Sequence, residues 1–277
     1  MLTALRDSDL EILRYCHELR FCTIDHLTAL TGRHRQALHL RLLTLISEKF
    51  IYRTAFPNPN QKHIYSIGTE GFRNLAYMGL ISLEDVPTRL RTNELKPLFL
   101  SHTLLVTDIH ATLLLASRNS PLQLTDWREG KGIYDAVTFY EDGRKTRLPV
   151  CPDGFFLIAN TTRSAPNNSL AFALEADRST TTRRTFDDKM KAYCQYLTQN
   201  RQQKMYGVKW FRVVTVTLTE ARANSLAALA GETVPDRLKK FFLFTSRENF
   251  SLEAPNPIYT EIYRTLKDDR PASIMPH

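Results

Sequence analysis

The stretch Val-Cys-Pro-Asp-Gly-Phe-Phe-Leu-Ile at 150–158, followed by Leu-Ala-Phe-Ala-Leu-Glu-Ala-Asp at 170–177, decides the fold of most of this chain. Both runs are apolar and short, as buried strands are, and each carries acid at one end. Side chains alternate faces along a strand, so Leu170, Phe172 and Leu174 point one way, and Glu175 and Asp177 stand together on the other. Asp153 lies at the mouth of the first strand, where hairpin pairing brings it toward that pair. Three converging carboxylates form a hard-oxygen set of the kind Mg²⁺ or Mn²⁺ prefers. Two plainer readings compete. Pro152-Asp153-Gly154 is a common turn tripeptide, with glycine accepting a positive φ, and Glu175-x-Asp177 suits a solvated strand edge.

Working outward, Ser179 to Arg184 is polar and basic, and Phe186, Met190, Tyr193 and Leu197 then recur at helical spacing, with Lys189 on the border of that stripe. Trp210 to Leu218 alternates like a strand, Thr219 caps a helix through Ala230, and Phe241 to Thr245 is a last short strand. On the other side, Leu98 to Ser117 is a long apolar helix carrying His102, Asp108 and His110, and Leu122 to Trp127 is a strand. Glu141 to Arg144 is a hairpin turn. Helices and strands in this order predict an α/β or α+β core of roughly 170 residues.

The first eighty residues have a different rhythm. Asp7 and Ser8 can cap a helix with Leu10, Leu13, Cys16 and Leu19 inward. Thr23 caps a second helix with Ile24, Leu27 and Leu30, and Thr31-Gly32 turns into a third with Leu38, Leu42, Leu45 and Ile46 buried. Two strand-like runs, Phe50 to Ala55 and His63 to Ile67, flank the polar segment 57–62, and Thr69 opens a further helix. Three short helices followed by a hairpin predict a winged helix-turn-helix. The outward face of its third helix carries Arg33, Arg35, Gln36, His39 and Arg41. In a major groove, arginine addresses guanine and glutamine adenine, and Lys62 near the wing tip suits a phosphate or the minor groove. Double-stranded DNA is the partner this face predicts. A solvated helix face and a winged-helix protein-interaction module are the competing readings.

Net charge supports a polyanionic partner: 277 residues carry 37 Lys and Arg against 29 Asp and Glu, a formal charge of +8. Most of the excess lies beyond residue 90. The four cysteines, Cys16, Cys22, Cys151 and Cys194, show no CxxC pair and no zinc spacing, which fits a reducing cytoplasm. Asp108 and His110 interrupt the longest apolar run, Leu104 to Ala116, and the N-terminus has no signal-like core. A cytoplasmic protein with no membrane contact is expected. The division expected is 1–81 for the DNA-binding domain, 82–97 for a linker, and 98–277 for the second domain. The apolar surplus on Leu98 to Ala116 suggests a homodimer face.

The helix at 98–117, Pro152-Asp153, Glu175-Ala176-Asp177 and the following helix resemble the PD-(D/E)xK nuclease core. That resemblance implies an Asp and a (D/E)xK pair holding a divalent metal while the Lys assists the attacking water. Here Asp177 occupies the lysine position, and Lys189, in a Lys-x-x-x-Tyr motif with Tyr193, is the candidate migrated amine. The whole arrangement, including Leu-Ser-His-Thr-Leu-Leu-Val-Thr-Asp at 100–108, resembles the replication-relaxation family of plasmids and other mobile elements. This implies an α+β protein, a winged helix-turn-helix followed by a PD-(D/E)xK nuclease-like core. It also implies a duplex-DNA-binding accessory or regulatory factor acting with replication or mobilisation proteins. The alternative is a Mg²⁺-dependent endonuclease using Asp153, Glu175, Asp177 and Lys189, with Mg²⁺ or Mn²⁺ held by the three acids. The replaced lysine predicts weak or absent cleavage.

Overall fold

The computed structural model describes residues 5–54, 62–82, 97–141, 143–164, 168–179, 181–267 and 270–275. The segments 82–97, expected as a linker, and 57–62, expected as the polar tip of a hairpin, lie almost entirely outside them. The chain is α+β and falls into two compact units, Met1–Ala111 and Thr112–His277.

In the first unit the order is α1 (Asp7–Glu18), β1 (Cys22–Thr23), α2 (Ile24–Thr31), α3 (Arg35–Ser47), β2 (Ile51–Thr54), β3 (Ile64–Ile67) and α4 (Thr69–Tyr77). The strands form a small antiparallel sheet in the order β1-β3-β2. Helical periodicity explains the core: Leu38, Leu42 and Leu45 of α3, Ile12, Leu13 and Cys16 of α1, and Leu27 and Leu30 of α2 are all nearly solvent-free. Gly32, at φ +66°, ends α2 in the left-handed conformation that glycine adopts without a Cβ penalty. Thr23 is the N-cap of α2, where its backbone N–H donates to His26 Nδ1 at 3.0 Å. The acid that fixes the start of α1 is Asp9 rather than Asp7 or Ser8. Buried at the third helical position, Asp9 accepts the Arg6 N–H at 2.8 Å.

The long helix α5 (Pro97–Ser117) contributes to both units. Its first part belongs with the helices and hairpin. Leu100 joins Phe21 and Ile64 in an apolar cluster, Thr107 Oγ1 donates to the Phe21 carbonyl at 2.9 Å, and Asp108 pairs with His26 Nε2 at 2.6 Å. The apolar surplus expected to form a dimer face is therefore spent internally: Leu100, Leu105, Val106, Ile109, Leu113 and Ala116 are all buried. His110 is buried as well, and burial pulls its pKa down to about 3, so the ring is neutral.

The second unit is a seven-stranded mixed sheet in the order β12-β11-β10-β9-β8-β7-β4, with a separate two-stranded β5-β6 ribbon. Its strands are β4 (Leu122–Arg128), β5 (Asp135–Glu141), β6 (Arg144–Val150), β7 (Gly154–Asn160), β8 (Ser169–Asp177), β9 (Phe211–Thr217), β10 (Phe242–Ser246), β11 (Tyr263–Thr265) and β12 (Pro271–Ala272). β7 and β8 form the antiparallel pair expected from the sequence, with Gly154 opposite Leu174. β8, β9 and β10 are parallel, so each junction needs a crossover. The first contains α6 (Arg183–Thr198) and α7 (Arg201–Tyr206), the second α8 (Glu220–Thr233). Strand alternation sends Phe156 and Phe172 to one face, stacked 5.0 Å apart with Trp127 beyond. Phe155, Ala171 and Ala173 face the other way, into a core with Met190, Tyr193 and Phe211. Gly154 does not serve a left-handed turn. It opens β7 beneath the Trp127 ring, where an added Cβ would lie 3.2 Å from Cζ2.

Candidate functional site

Two groups of charged side chains follow from this architecture. The first is on α3. With Leu38, Leu42 and Leu45 inward, the 3.6-residue repeat turns Gln36, His39, Leu40 and Leu43 outward. Leu40 is 63% exposed and Leu43 41%, so the outermost stripe is partly apolar, a feature the reading of charged residues overlooked although the spacing 36, 40, 43 contains it. Arg35 and Lys62 both donate to the carboxylate of Asp25, one from the start of α3 and one from the arm entering β3. Burial pushes the Asp25 carboxyl up, but the Lys62 and Arg35 contacts outweigh it and hold the pKa below the usual carboxylate range. His34, Arg35, Gln36, His39, Lys62 and His63 line one open cleft of about 550 Å³. The structure thus brings together Arg35, Gln36, His39 and Lys62, and adds His34 and His63.

Two expected members of that face stand differently. Arg41 turns back to Asp9 in a bidentate pair, Nε to Oδ1 at 2.7 Å and Nη2 to Oδ2 at 2.6 Å, with the Asp9 side chain only 1% exposed. Burial raises the Asp9 carboxyl, yet the Arg41 and Arg6 hydrogen bonds prevail and leave its pKa lowered. Arg41 therefore ties α3 to α1. Arg33 precedes the helix and is half-buried, and its charge also acts on Asp9.

The second group sits at the carboxyl end of β8. Glu175 and Asp177 share a face as the pleat requires, and both are buried, at 5% and 6% exposure. Each has its own donors. Glu175 receives the Lys189 ammonium on Oε2 and the Tyr193 hydroxyl on Oε1 at 2.5 Å, both from α6 one helical turn apart. Asp177 receives the Ser179 N–H on Oδ1 and the Arg222 guanidinium of α8 on Oδ2 at 3.0 Å. Arg222 also donates to the Thr181 carbonyl at 2.9 Å, fixing the chain that leaves the strand. Asp153 is pinned to the same strand end: its N–H donates to the Leu174 carbonyl at 2.9 Å, and Oδ2 accepts the Ala176 N–H at 2.8 Å.

Electrostatically this end of the sheet is a closed pair. Burial pushes the Glu175 carboxyl up, with the charge of Lys189 pulling it back. Burial also opposes the Lys189 ammonium, but the charges of Glu175 and Asp153 prevail and raise its pKa above the usual lysine value. The amine is thus held charged against a buried carboxylate. The Tyr193 hydroxyl is pushed well above its ordinary value by burial and by Glu175, so it remains a donor. The nearby Cys151 thiol is pushed up by its partial burial and by Glu175, which suppresses the thiolate.

The charges of Asp153, Glu175 and Asp177, the three acids expected to converge, all act on the Lys189 ammonium. Both oxygens of Glu175, both of Asp177 and one of Asp153 already accept hydrogen bonds, and no group of three His, Cys, Asp or Glu among the described residues could hold a metal ion. The donor set present does not fit a divalent cation, because a lysine and an arginine occupy the positions where one would neutralise the acids. Arg222 is the residue sequence reasoning missed. It lies 45 positions from Asp177, on a different helix, with no local pattern to announce it.

The replication-relaxation family model matches residues 13–210, and the chain belongs to that family. The match runs from α1 through the candidate acids and Lys189 to the threshold of β9. Membership points to a role in replication or relaxation. No curated protein and no solved structure matches the chain. No helix among the described residues is long and apolar enough to cross a membrane.

Proposed function

We propose that this replication-relaxation protein is a duplex-DNA-binding accessory or regulatory factor that grips DNA through a winged helix. Its C-terminal unit has a PD-(D/E)xK-like layout in which the acidic centre serves structure rather than cleavage. One observation carries the reading: α3 and the hairpin arm present Arg35, Gln36, His39 and Lys62 around a single open cleft. α3 is the recognition helix, its N-terminal turn entering the major groove, with Arg35 and Gln36 facing base edges. Arg33 supports the approach from the preceding turn, and Lys62 holds a phosphate beside it. Leu40 and Leu43 suit thymine methyl groups farther along the helix. Arg41 holds the recognition helix in place through Asp9. Two copies bind as a homodimer on related half-sites, the usual arrangement for such modules, in the cytoplasm and with other replication or mobilisation proteins.

Alanine at Arg35 or Gln36 is expected to cost about 1–3 kcal/mol on the specific duplex and little on random DNA, measured by gel shift at fixed salt. Arg33→Ala behaves similarly but more weakly. Equal losses on both sequences would remove the base-reading role and leave only phosphate contact.

A second reading rests on one contact, Lys189 against Glu175, which puts an amine where a migrated PD-(D/E)xK lysine would stand. It makes the protein an endonuclease using Asp153, Glu175, Asp177 and Lys189 with Mg²⁺ or Mn²⁺. Supercoiled plasmid incubated with either ion separates the two readings. The accessory factor leaves the plasmid uncut. Efficient nicking, lost in Asp153→Ala and Glu175→Ala while DNA binding persists, would replace it with the nuclease.

A further inference from the structure

The second unit contains a cleft that neither the duplex-binding face nor the acidic strand end uses. It lies at the start of β8 and β9, where Ala171 pairs with Phe211, about 13 Å along the strand from Glu175 at 3.3 Å per residue. Its volume is about 640 Å³, within the range of small-ligand sites. Leu197 and Leu238 give it an apolar floor. On its rim, Trp210 stacks on Phe241 with ring centres 5.3 Å apart and planes 13° from parallel, and Trp210 is still 43% exposed.

Three cations border this aromatic platform. Lys240 Nζ lies 5.2 Å over the Phe241 ring, Arg237 is exposed one turn earlier, and Arg212 donates to the Ile274 carbonyl at 3.0 Å. No carboxylate lines the cleft, and none pairs with these three cations among the described residues. Arg237 and Lys240 belong to the 3₁₀ segment Asp236–Phe241, in which positions three apart are eclipsed. They therefore point to the same side, about 6 Å apart along the axis. That arrangement suits two successive phosphates.

An exposed ring over an apolar floor attracts a flat, partly apolar group, and cations without a carboxylate partner beside it attract an anion. A strand of nucleic acid supplies both in alternation, and only unpaired bases offer their faces for stacking. We propose that this cleft binds single-stranded nucleic acid, with a base stacking on Trp210 and the adjoining phosphates held by Arg237 and Lys240. The site is independent of the duplex-binding reading and shares no residue with it. A protein carrying both would hold duplex through its first unit and an exposed strand through its second.

The test uses the full chain and fluorescein-labelled dT12, reading anisotropy together with tryptophan emission. dT12 is expected to quench the emission, and the quench should vanish in Trp210→Phe, leaving the signal of Trp127 alone. Trp210→Ala is expected to weaken dT12 binding about 5- to 150-fold, the range for loss of one stacked base. Arg237→Ala with Lys240→Ala should weaken it further at low salt and reduce the salt slope by about 1.4, from two phosphate contacts on a single strand. Arg35→Ala should leave the quench unchanged, which separates failure here from failure of the duplex reading. The proposal is overturned if dT12 leaves Trp210 emission unchanged, or if the Arg237 and Lys240 variant binds dT12 like the parent. It is also overturned if dTMP or inorganic phosphate binds as tightly as dT12, marking a mononucleotide or anion pocket, or if a twelve-base-pair duplex quenches Trp210 equally.

Discussion

Asp25 and Glu175 are carboxylates with partners of the same kind, each receiving a lysine and a second donor, but they differ in how much water surrounds them. The Asp25 side chain is 23% exposed, and its partners Arg35 and Lys62 are 55% and 64% exposed. The Glu175 side chain is 6% exposed, and the Lys189 side chain reaches it from 35% exposure while Tyr193 is buried. Ion pairs in water contribute about 0–1 kcal/mol and exchange partners readily, whereas a buried carboxylate that loses its partner is left with an uncompensated desolvation cost. The first cluster can therefore yield its cations to a phosphate, and the second cannot. A carboxylate beside a lysine does not by itself mark chemistry; the surrounding burial decides whether the pair is a reserve of charge or a clamp.

The largest effect expected from this contrast is at Lys189. Lys189→Met leaves Glu175 buried with only Tyr193 to satisfy it, and should destabilise the protein by about 3 kcal/mol, the low end for a broken buried pair because the lysine is partly solvated. Urea unfolding measures this, and adding Glu175→Gln to the same protein should restore part of the loss. If Lys189→Met unfolds at the parental midpoint, Glu175 is not the clamp described.

The same distinction extends to histidine and to pH. Buried His110 is held neutral, with its pKa lowered by burial from 6.5 to about 3. Between those values the unfolded chain takes up a proton that the folded chain refuses. His110 thus favours folding above pH 6.5, and that contribution falls away as pH drops toward 3. From pH 6.5 to 4.5 the loss should be on the order of 2 kcal/mol, and His110→Leu should flatten that part of the stability profile. An unchanged profile in the variant would mean that another group sets the acid limb.

The smallest effect belongs to Asp25. On the proposed reading, Asp25→Asn removes an acid that would compete with DNA phosphates for Arg35 and Lys62. Stability should change by less than about 0.5 kcal/mol, while duplex affinity rises a few-fold. Weaker binding in this variant would show that Asp25 positions the two cations rather than restraining them.

How far the sequence could be read follows from the range of the interactions. The helices of the first unit were legible because Leu38, Leu42 and Leu45, or Leu27 and Leu30, repeat within a few residues, and Thr23 and Gly32 punctuate them locally. The β7–β8 hairpin was legible for the same reason. Less accessible were features fixed by distant residues: the Arg41–Asp9 bridge across 32 positions, Arg222 on Asp177 across 45, and the C-terminal strands β11 and β12 at the sheet edge. Lys189 was singled out by its Lys-x-x-x-Tyr spacing, but its side-chain direction depended on the crossover returning α6 over β8. Gly154 looked like a turn residue because its constraint, the Trp127 ring, comes from a neighbouring strand.

The most direct test of the contrast between the two clusters is the salt dependence of duplex binding by the full chain. In a plot of log affinity against log salt, Arg35→Ala with Lys62→Ala should lower the slope by about 1.8, at roughly 0.9 per phosphate contact. Glu175→Gln, which keeps the shape of the buried pair, should leave the slope as in the parent. An unchanged slope for the Arg35 and Lys62 variant, or an altered one for Glu175→Gln, would contradict the assignment of the open cluster to DNA and the closed one to structure.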